Sequence, residues 1–244
     1  MLLKELRERW WRRVRERGLE GERLRVKARV LRPEEAIGKP SRNDYPLLKG
    51  KEVMIEACVR DGVGQAFTDQ PSNYSGTLES LYNLPLNSNR NRALLVAGIN
   101  ATYSLLGLVK GVKHCRDEGP ELCAERMARV LLDEVGGDVR LGMIGLQPAI
   151  ADRLSKVFRF FRVTDRDSEN IGRRIGEVIV ESSESNPSVI EWSDVLLITG
   201  TTLVNGTIDY FLKFSENKKL YFYGVTIASA AYEFGLRRLC FAST

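Results

Sequence analysis

Soft metal ligands are scarce in this chain: it has one histidine, His114, and four cysteines, Cys58, Cys115, Cys123 and Cys240. No two cysteines form a Cys-x-x-Cys pair, which excludes a dithiol redox motif and a zinc ribbon. No complete G-x-G-x-x-G is present, since Gly142-Met-Ile-Gly145 supplies only two glycines. The small-residue turn Thr199-Gly200-Thr201-Thr202 is followed by no lysine, so it is not a P-loop. No apolar run reaches membrane-spanning length, and the first residues, with Lys4, Arg7 and Arg9, lack the apolar region of a secretory signal. A cytoplasmic protein without membrane partners is the expectation.

What is present describes a globular α/β protein. The 244 residues are 43% hydrophobic and 28% charged, enough for one large or two small domains with a sizeable core. The net charge of +5 is local. Residues 1–32 hold 12 Lys+Arg against 5 Glu, a balance of +7, so the rest of the chain carries −2. In that segment Leu3, Leu6, Trp10 and Val14 recur on one helical face. An amphipathic helix docked on the body accounts for the basic charge, and with no nucleic-acid motif beside it no nucleic-acid partner is expected.

The elements follow in order. Arg23 to Leu31 reads as a strand, and 33–50 as a loop with one helical turn at Glu34 to Ile37. Val53 to Val59 and Gly64 to Thr68 form a hairpin turned by Arg60-Asp61-Gly62-Val63, because Asp-Gly tolerates positive φ. Phe67, Thr68 and Asp69 then end it within reach of a neighbouring layer. Thr77 to Leu84 is a short helix, and Ser88 caps a helix over 89–106 whose apolar face includes Asn100. A buried amide there requires partners, either core groups or a ligand. A further helix spans 121–134.

From Gly137 onward strands and helices alternate. The strands are Val139 to Ile144, Phe160 to Thr164, Val178 to Val180, Val195 to Ile198, Leu220 to Tyr223 and Leu239 to Phe241. The helices are Pro148 to Val157, 203–214 and 226–234. This alternation predicts a mostly parallel, doubly wound sheet. Residues 1–86 then form a small α+β domain and residues 87–244 a Rossmann-like one. Ligands of such sheets bind outside the carboxyl ends of the strands. Those ends supply Gln147, Asp165, Thr199, Gly200, Thr201, Thr202, Asn205 and Thr226 as candidate ligand-binding residues. Asp165 lies 20 residues beyond Gly145, the offset at which an acid holds a ribose hydroxyl, though it can equally cap local backbone.

His114-Cys115-Arg116-Asp117-Glu118 gathers an imidazole, a thiol and two carboxylates in the connection between two helices. His114, Asp117 and Glu118 are the acid–base candidates, and His114 with Cys115 the candidate ligands for a transition or heavy metal. Cys123 falls with Met127, Val130 and Leu131 on an apolar helical face, where packing is its expected role.

Seven stretches together resemble a known family. They are Lys51 to Asp69, His114 to Glu118 with Glu121-Leu122-Cys123-Ala124, Gly145-Leu146-Gln147-Pro148-Ala149, Val163-Thr164-Asp165, Glu169-Asn170-Ile171-Gly172, Thr199 to Asp209, and Tyr223 to Ala228. The chain is similar over nearly its whole length to domain-of-unknown-function family 364, described in terms of heavy-metal chelation. The resemblance implies an enolase-N-terminal-like domain followed by a Rossmann-like domain, with a site in the cleft between them; Asn170, within one of these stretches, and Asn100, at the domain junction, are further candidate ligand-binding residues. It also implies handling of a metal or a tetrapyrrole-related metallophore. The residues themselves keep open the alternative of an enzyme binding a nucleotide-like or S-adenosyl-type small molecule at the strand ends. A homo-oligomer is an open state.

Overall fold

The computed structural model describes residues 1–20, 26–49 and 53–244. The amphipathic segment is α1 (Leu2–Glu16), which buries Leu3, Leu6, Trp10 and Val14. Strand β1 (Val26–Val30) follows; the start of the expected strand at Arg23 lies outside the described residues. Helix α2 (Pro33–Ala36) falls on the anticipated turn, and α3 (Pro46–Lys49) forms where a loop was expected. The hairpin consists of β2 (Val53–Val59) and β3 (Gly62–Thr68), followed by β4 (Tyr74–Gly76) and α4 (Leu78–Tyr82). The four strands make an antiparallel sheet in the order β3-β2-β1-β4.

The hairpin turn differs from expectation. Val59 pairs with Gly62, so only Arg60 and Asp61 remain in the turn, and the positive φ (50°) belongs to Arg60. Gly62 is needed for another reason. A Cβ there would overlap the backbone of Ala101, and one at Gly64 would lie 2.5 Å from the carbonyl carbon of Asn100. The bare strand lets α5 (Asn89–Leu105) lie directly on the sheet. Ser88 caps that helix by accepting from the Asn91 N–H at 3.2 Å. Residues Ala93 to Tyr103 are buried without interruption, so α5 is covered on all sides rather than on the one face its sequence suggested. The first sheet covers one side of it, and α1 and elements of the second layer cover the other.

The second layer begins with α6 (Gly119–Val135) and β5 (Arg140–Ile144). Helix α7 (Pro148–Val157) and strand β6 (Phe160–Asp165) follow the sequence reading closely. The expected short strand is β8 (Val178–Ser182), preceded by β7 (Arg174–Ile175) and followed by α8 (Asn186–Trp192). Strand β9 (Val195–Thr199) leads not to one helix over 203–214 but to two pieces, α9 (Thr201–Val204) and α10 (Ile208–Leu212). Gly206, at φ 79°, breaks the helix between them. Last come β10 (Lys219–Tyr223) and α11 (Ala228–Phe234). Residues 239–241 form no strand; only an isolated bridge pairs Phe222 with Arg238. The sheet order is β10-β9-β5-β6-β8-β7, parallel except for the β7–β8 pair. The chain thus moves outward from β5 through β6 and β8, then returns to the other side of β5 at β9. The reversal leaves a crevice between the ends of β5 and β9.

Helix α1 is locked to this body by Glu233 of α11. Arg13 Nε and the Tyr103 hydroxyl each donate to its Oε1 at 2.6 Å. Burial alone would raise the Glu233 carboxyl, but these two donors outweigh it and hold the pKa below the ordinary value of 4.5. A carboxyl depressed in the folded state stabilises fully above its unfolded pKa and stops doing so as pH falls through the folded value. Melting temperature is therefore expected to fall on acidification below about pH 4.5. Glu233→Gln should be less stable at neutral pH by about 1.5–3 kcal/mol and should show a flatter acid limb. Thermal melts of both proteins between pH 7 and 3 check this.

Candidate ligand cleft

The carboxyl ends of the second sheet form the floor of a cavity of about 770 Å³. Gly145 and Leu146 follow β5, Asp165 to Asp167 follow β6, and Thr199, Thr201 and Thr202 lie at the end of β9. The first layer closes the chamber with Pro46, Thr68 and Asp69. A smaller pocket of about 70 Å³ lies deeper, between Phe67, His114, Gln147, Gly200 and Thr226. Pro46, Leu146, Thr199, Thr201 and Tyr223 line both. The two are therefore adjoining compartments of one cleft, a larger chamber and a smaller one beside His114.

His114 is held at that end by its backbone. Its N–H donates to Gln65 Oε1 at 2.6 Å, and the Gln65 N–H donates to the Val112 carbonyl at 3.0 Å. The imidazole meets the Phe67 ring edge-on, with centroids 5.4 Å apart. Its Nδ1 is buried with no hydrogen-bond partner among the described residues. Burial lowers the imidazole pKa below the ordinary 6.5, opposed by nearby Cys240 and by the backbone of Cys115 and Ala36. The ring is neutral at neutral pH and can accept a proton or a hydrogen bond. As the only histidine it gives a single set of imidazole resonances, which should protonate at lower pH than those of an ordinary imidazole. Because the unfolded chain takes up that proton first, stability should decline as pH falls below about 6.5.

The other residues of the histidine segment face elsewhere. Asp117 accepts from the Lys39 N–H at 2.9 Å, while its own N–H donates to the Ile37 carbonyl at 2.8 Å. Glu118 is the exposed N-cap of α6. Neither lines either compartment. Cys115 is buried, and burial pushes its thiol up to about 12, so it is protonated at neutral pH. Among the described residues no three His, Cys, Asp or Glu side chains converge as a metal-binding group. The donor set therefore does not fit a bare ion held by protein ligands alone.

Asn100 is central but does not face the cleft. Its Nδ2 donates to the carbonyls of Gln65 (3.0 Å) and Val225 (3.2 Å), and its Oδ1 accepts from the N–H (3.1 Å) and hydroxyl (2.6 Å) of Ser229. All its hydrogen-bonding capacity is used in joining hairpin, α5 and the β10–α11 turn. Asp165 does line the chamber, but its oxygens are engaged. Oδ2 accepts from the Leu146 N–H (2.6 Å); Oδ1 accepts from the Asp167 N–H (2.7 Å) and from Asn170 Nδ2 (3.3 Å). Local capping is its observed work. Asp165→Asn would set an amide against at least one of these donors and is expected to cost about 2–3 kcal/mol of stability, measurable by denaturant unfolding.

The remaining candidates gather around the cleft. Thr199 and Thr201 bring their hydroxyls to 3.2 Å, and Thr202 donates to the Thr199 carbonyl at 2.7 Å. Gly200 is forced by crowding, since a Cβ there would sit 2.8 Å from the Ile227 nitrogen. Gln147 caps α7 through the Ile150 N–H (2.6 Å), and Thr226 accepts from the Phe67 N–H (3.0 Å), stitching the hairpin to β10. Asn170 and Asn205 both line the outer chamber.

Sequence reasoning missed the strap that roofs the cleft. Tyr45, Pro46 and Leu47 line the inner pocket, and the loop before them is tied down by Arg42 and Asp44. Arg42 pairs with Asp44 through two bonds of 3.0 Å and also approaches Asp152 of α7, while Asp44 pairs with Arg173. The Tyr45 hydroxyl donates to Glu121 at 2.9 Å. Alternating charge between two prolines, Arg42 to Pro46, was the available signal. Tyr210 and Asn186 also line the chamber, with no local pattern to mark them.

Residues 130–239 match the family model DUF364, whose description is "Putative heavy-metal chelation". Two solved structures of unknown function from that family are similar in fold. One, from Pyrococcus horikoshii, is 15% identical, with a TM-score of 0.52 over 93% of this chain and 79% of its own. The other, from Desulfitobacterium hafniense DCB-2, is 16% identical, with a TM-score of 0.50 over 75% and 73%. No curated protein matches. The resemblance read from the sequence is borne out over residues 130–239, and the mixed α/β fold is that of these two structures. Among the described residues no helix is long and apolar enough to cross a membrane.

Proposed function

We propose that this chain, whose residues 130–239 carry the DUF364 match, binds a nucleoside-like small molecule in the cleft, with one end of the molecule directed toward His114. The observation that carries this reading is the continuity of the two compartments at the crevice between β5 and β9. Doubly wound sheets bind their ligands where the strand order reverses. A volume of about 770 Å³ suits a molecule of nucleoside size or somewhat larger.

The lining narrows the class. Hydroxyls and amides supply many of its polar groups, with Thr199, Thr201, Asn170, Asn186, Asn205 and Tyr210 among them. Its charged side chains are Asp69, Asp165 and Asp167 against Arg166 alone. An excess of carboxylates disfavours phosphate and favours an uncharged or cationic ligand, such as a nucleoside or an S-adenosyl compound. The family's description in terms of heavy metal enters this reading as cargo: a metal would arrive with ligands of its own, because the described residues offer too few.

Calorimetric titration tests the reading. Adenosine or S-adenosylmethionine should bind more tightly than adenosine monophosphate, and cadmium ion alone should show no stoichiometric binding. Thr201→Val, which deletes a hydroxyl at nearly constant volume, should weaken the favoured ligand about ten-fold, or about 1.4 kcal/mol. Tighter binding of the monophosphate, or stoichiometric cadmium, would contradict it.

A further inference from the structure

We propose that Cys123 and Cys240 form a thiol pair that closes to a disulfide by exchange with a small-molecule disulfide, tying the C-terminal segment to α6. The geometry stands on a backbone contact. The Phe241 N–H donates to Cys123 Sγ at 3.4 Å. The Cα of Cys240 is two bonds from that nitrogen, about 2.4 Å away, and so lies within about 6 Å of the Cys123 sulfur. The two side chains are therefore neighbours, and closing the bond requires Cα atoms about 4.4–6.8 Å apart.

The two sulfurs are unequal in a way that sets the order of attack. Cys240 is a half-buried residue, whereas Cys123 is buried. The Cys123 thiol donates a hydrogen bond to Cys240, and with Arg238 nearby this outweighs burial and holds the Cys240 thiol well below its ordinary pKa. Arg238 is fixed there by the Gly224 carbonyl at 2.9 Å and by the Gly111 carbonyl. Cys240 is thus the more readily ionised nucleophile and Cys123 the resolving thiol. Cys115 is buried and stays protonated.

The chemistry balances with oxidised glutathione as the named oxidant. The Cys240 thiolate attacks one sulfur of the disulfide, forms a mixed disulfide and releases one glutathione thiolate. Cys123 then loses its proton to solvent, attacks the Cys240 sulfur and expels the second glutathione thiolate. Two protein thiols are oxidised and one small disulfide is reduced to two thiols. The consequence reaches the cleft through the chain end. The Lys113 N–H donates to the Thr244 carbonyl at 2.7 Å and the Thr244 N–H donates back at 3.1 Å, directly beside His114. A bond at Cys240 would pin this segment, and the histidine connection with it, to α6.

The test uses the full chain incubated with oxidised glutathione, followed by intact mass and a non-reducing peptide map. Wild type should lose two hydrogens, yield one linked peptide pair containing Cys123 and Cys240, and melt about 10 °C higher until dithiothreitol reverses it. Cys123→Ser should stop with one glutathione on Cys240, while Cys115→Ser should form the bond as wild type does. A stable glutathione adduct on wild-type Cys240, a bond to Cys115, or four unmodified thiols would each overturn the proposal. The wild-type map decides the matter even if a variant fails to fold.

Discussion

Replacing Asn100 with alanine is expected to destabilise the protein by about 3–5 kcal/mol, a large fraction of a typical domain's stability. The side chain is fully buried, and the substitution strands two carbonyls, Gln65 and Val225, together with the N–H and hydroxyl of Ser229. Unsatisfied buried groups cost about 1–3 kcal/mol each, and partial relaxation keeps the total below their sum. Aspartate should be no better, since it loses both donors and buries a charge. Denaturant unfolding of wild type, Asn100→Ala and Asn100→Asp checks this. A loss under 1 kcal/mol for alanine would mean that the junction of hairpin, α5 and α11 is not what holds the two layers in register.

Gly64→Ala is expected to be of similar size for a different reason. The new methyl would lie 2.5 Å from the Asn100 carbonyl carbon and 2.6 Å from the Ala97 oxygen. Overpacking ordinarily costs about 1–3 kcal/mol, but here the obstacle is helix backbone, which no rotamer change relieves; about 3 kcal/mol or more is expected. Trimming the neighbouring side chain through Ala101→Gly should not rescue it. Because α5 would be lifted from the strand that leads to Phe67 and Thr68, ligand affinity should fall along with stability. A Gly64→Ala protein as stable as wild type would show that helix and sheet are not in contact at this point.

The sequence reading succeeded where a local pattern had one physical outcome. Leu3, Leu6, Trp10 and Val14 recur at helical spacing and bury one face of α1. Pro148 at the first turn of α7 and the apolar run at Val195 located their elements almost to the residue. Polar strand ends pointed to the cleft because packing alone does not call for threonines at Thr199, Thr201 and Thr202. Where several outcomes shared one pattern, the sequence was silent. Asp-Gly marked a turn, yet Gly62 serves the approach of α5, a contact with residues some forty positions away. The acid at Asp165 sits at the offset of a ribose ligand, but Leu146, Asp167 and Asn170 occupy its oxygens, contacts that the spacing does not encode. Likewise, spacing in the chain gives no hint that Cys240 meets Cys123, or that Asp117 and Glu118 turn away from His114.

The central claim is that the cleft takes a nucleoside-like molecule whose end lies against a neutral His114, and the imidazole itself reports on it most directly. Nitrogen-15 spectra of the single histidine should be recorded at pH 7 while S-adenosylmethionine and, separately, cadmium ion are added. The account predicts a neutral ring at the start and a saturable shift of its nitrogens with S-adenosylmethionine, abolished or weakened about ten-fold by Thr201→Val. Cadmium alone should leave the spectrum unchanged. A charged ring in the free protein, or cadmium-induced shifts with none from the S-adenosyl compound, would contradict it.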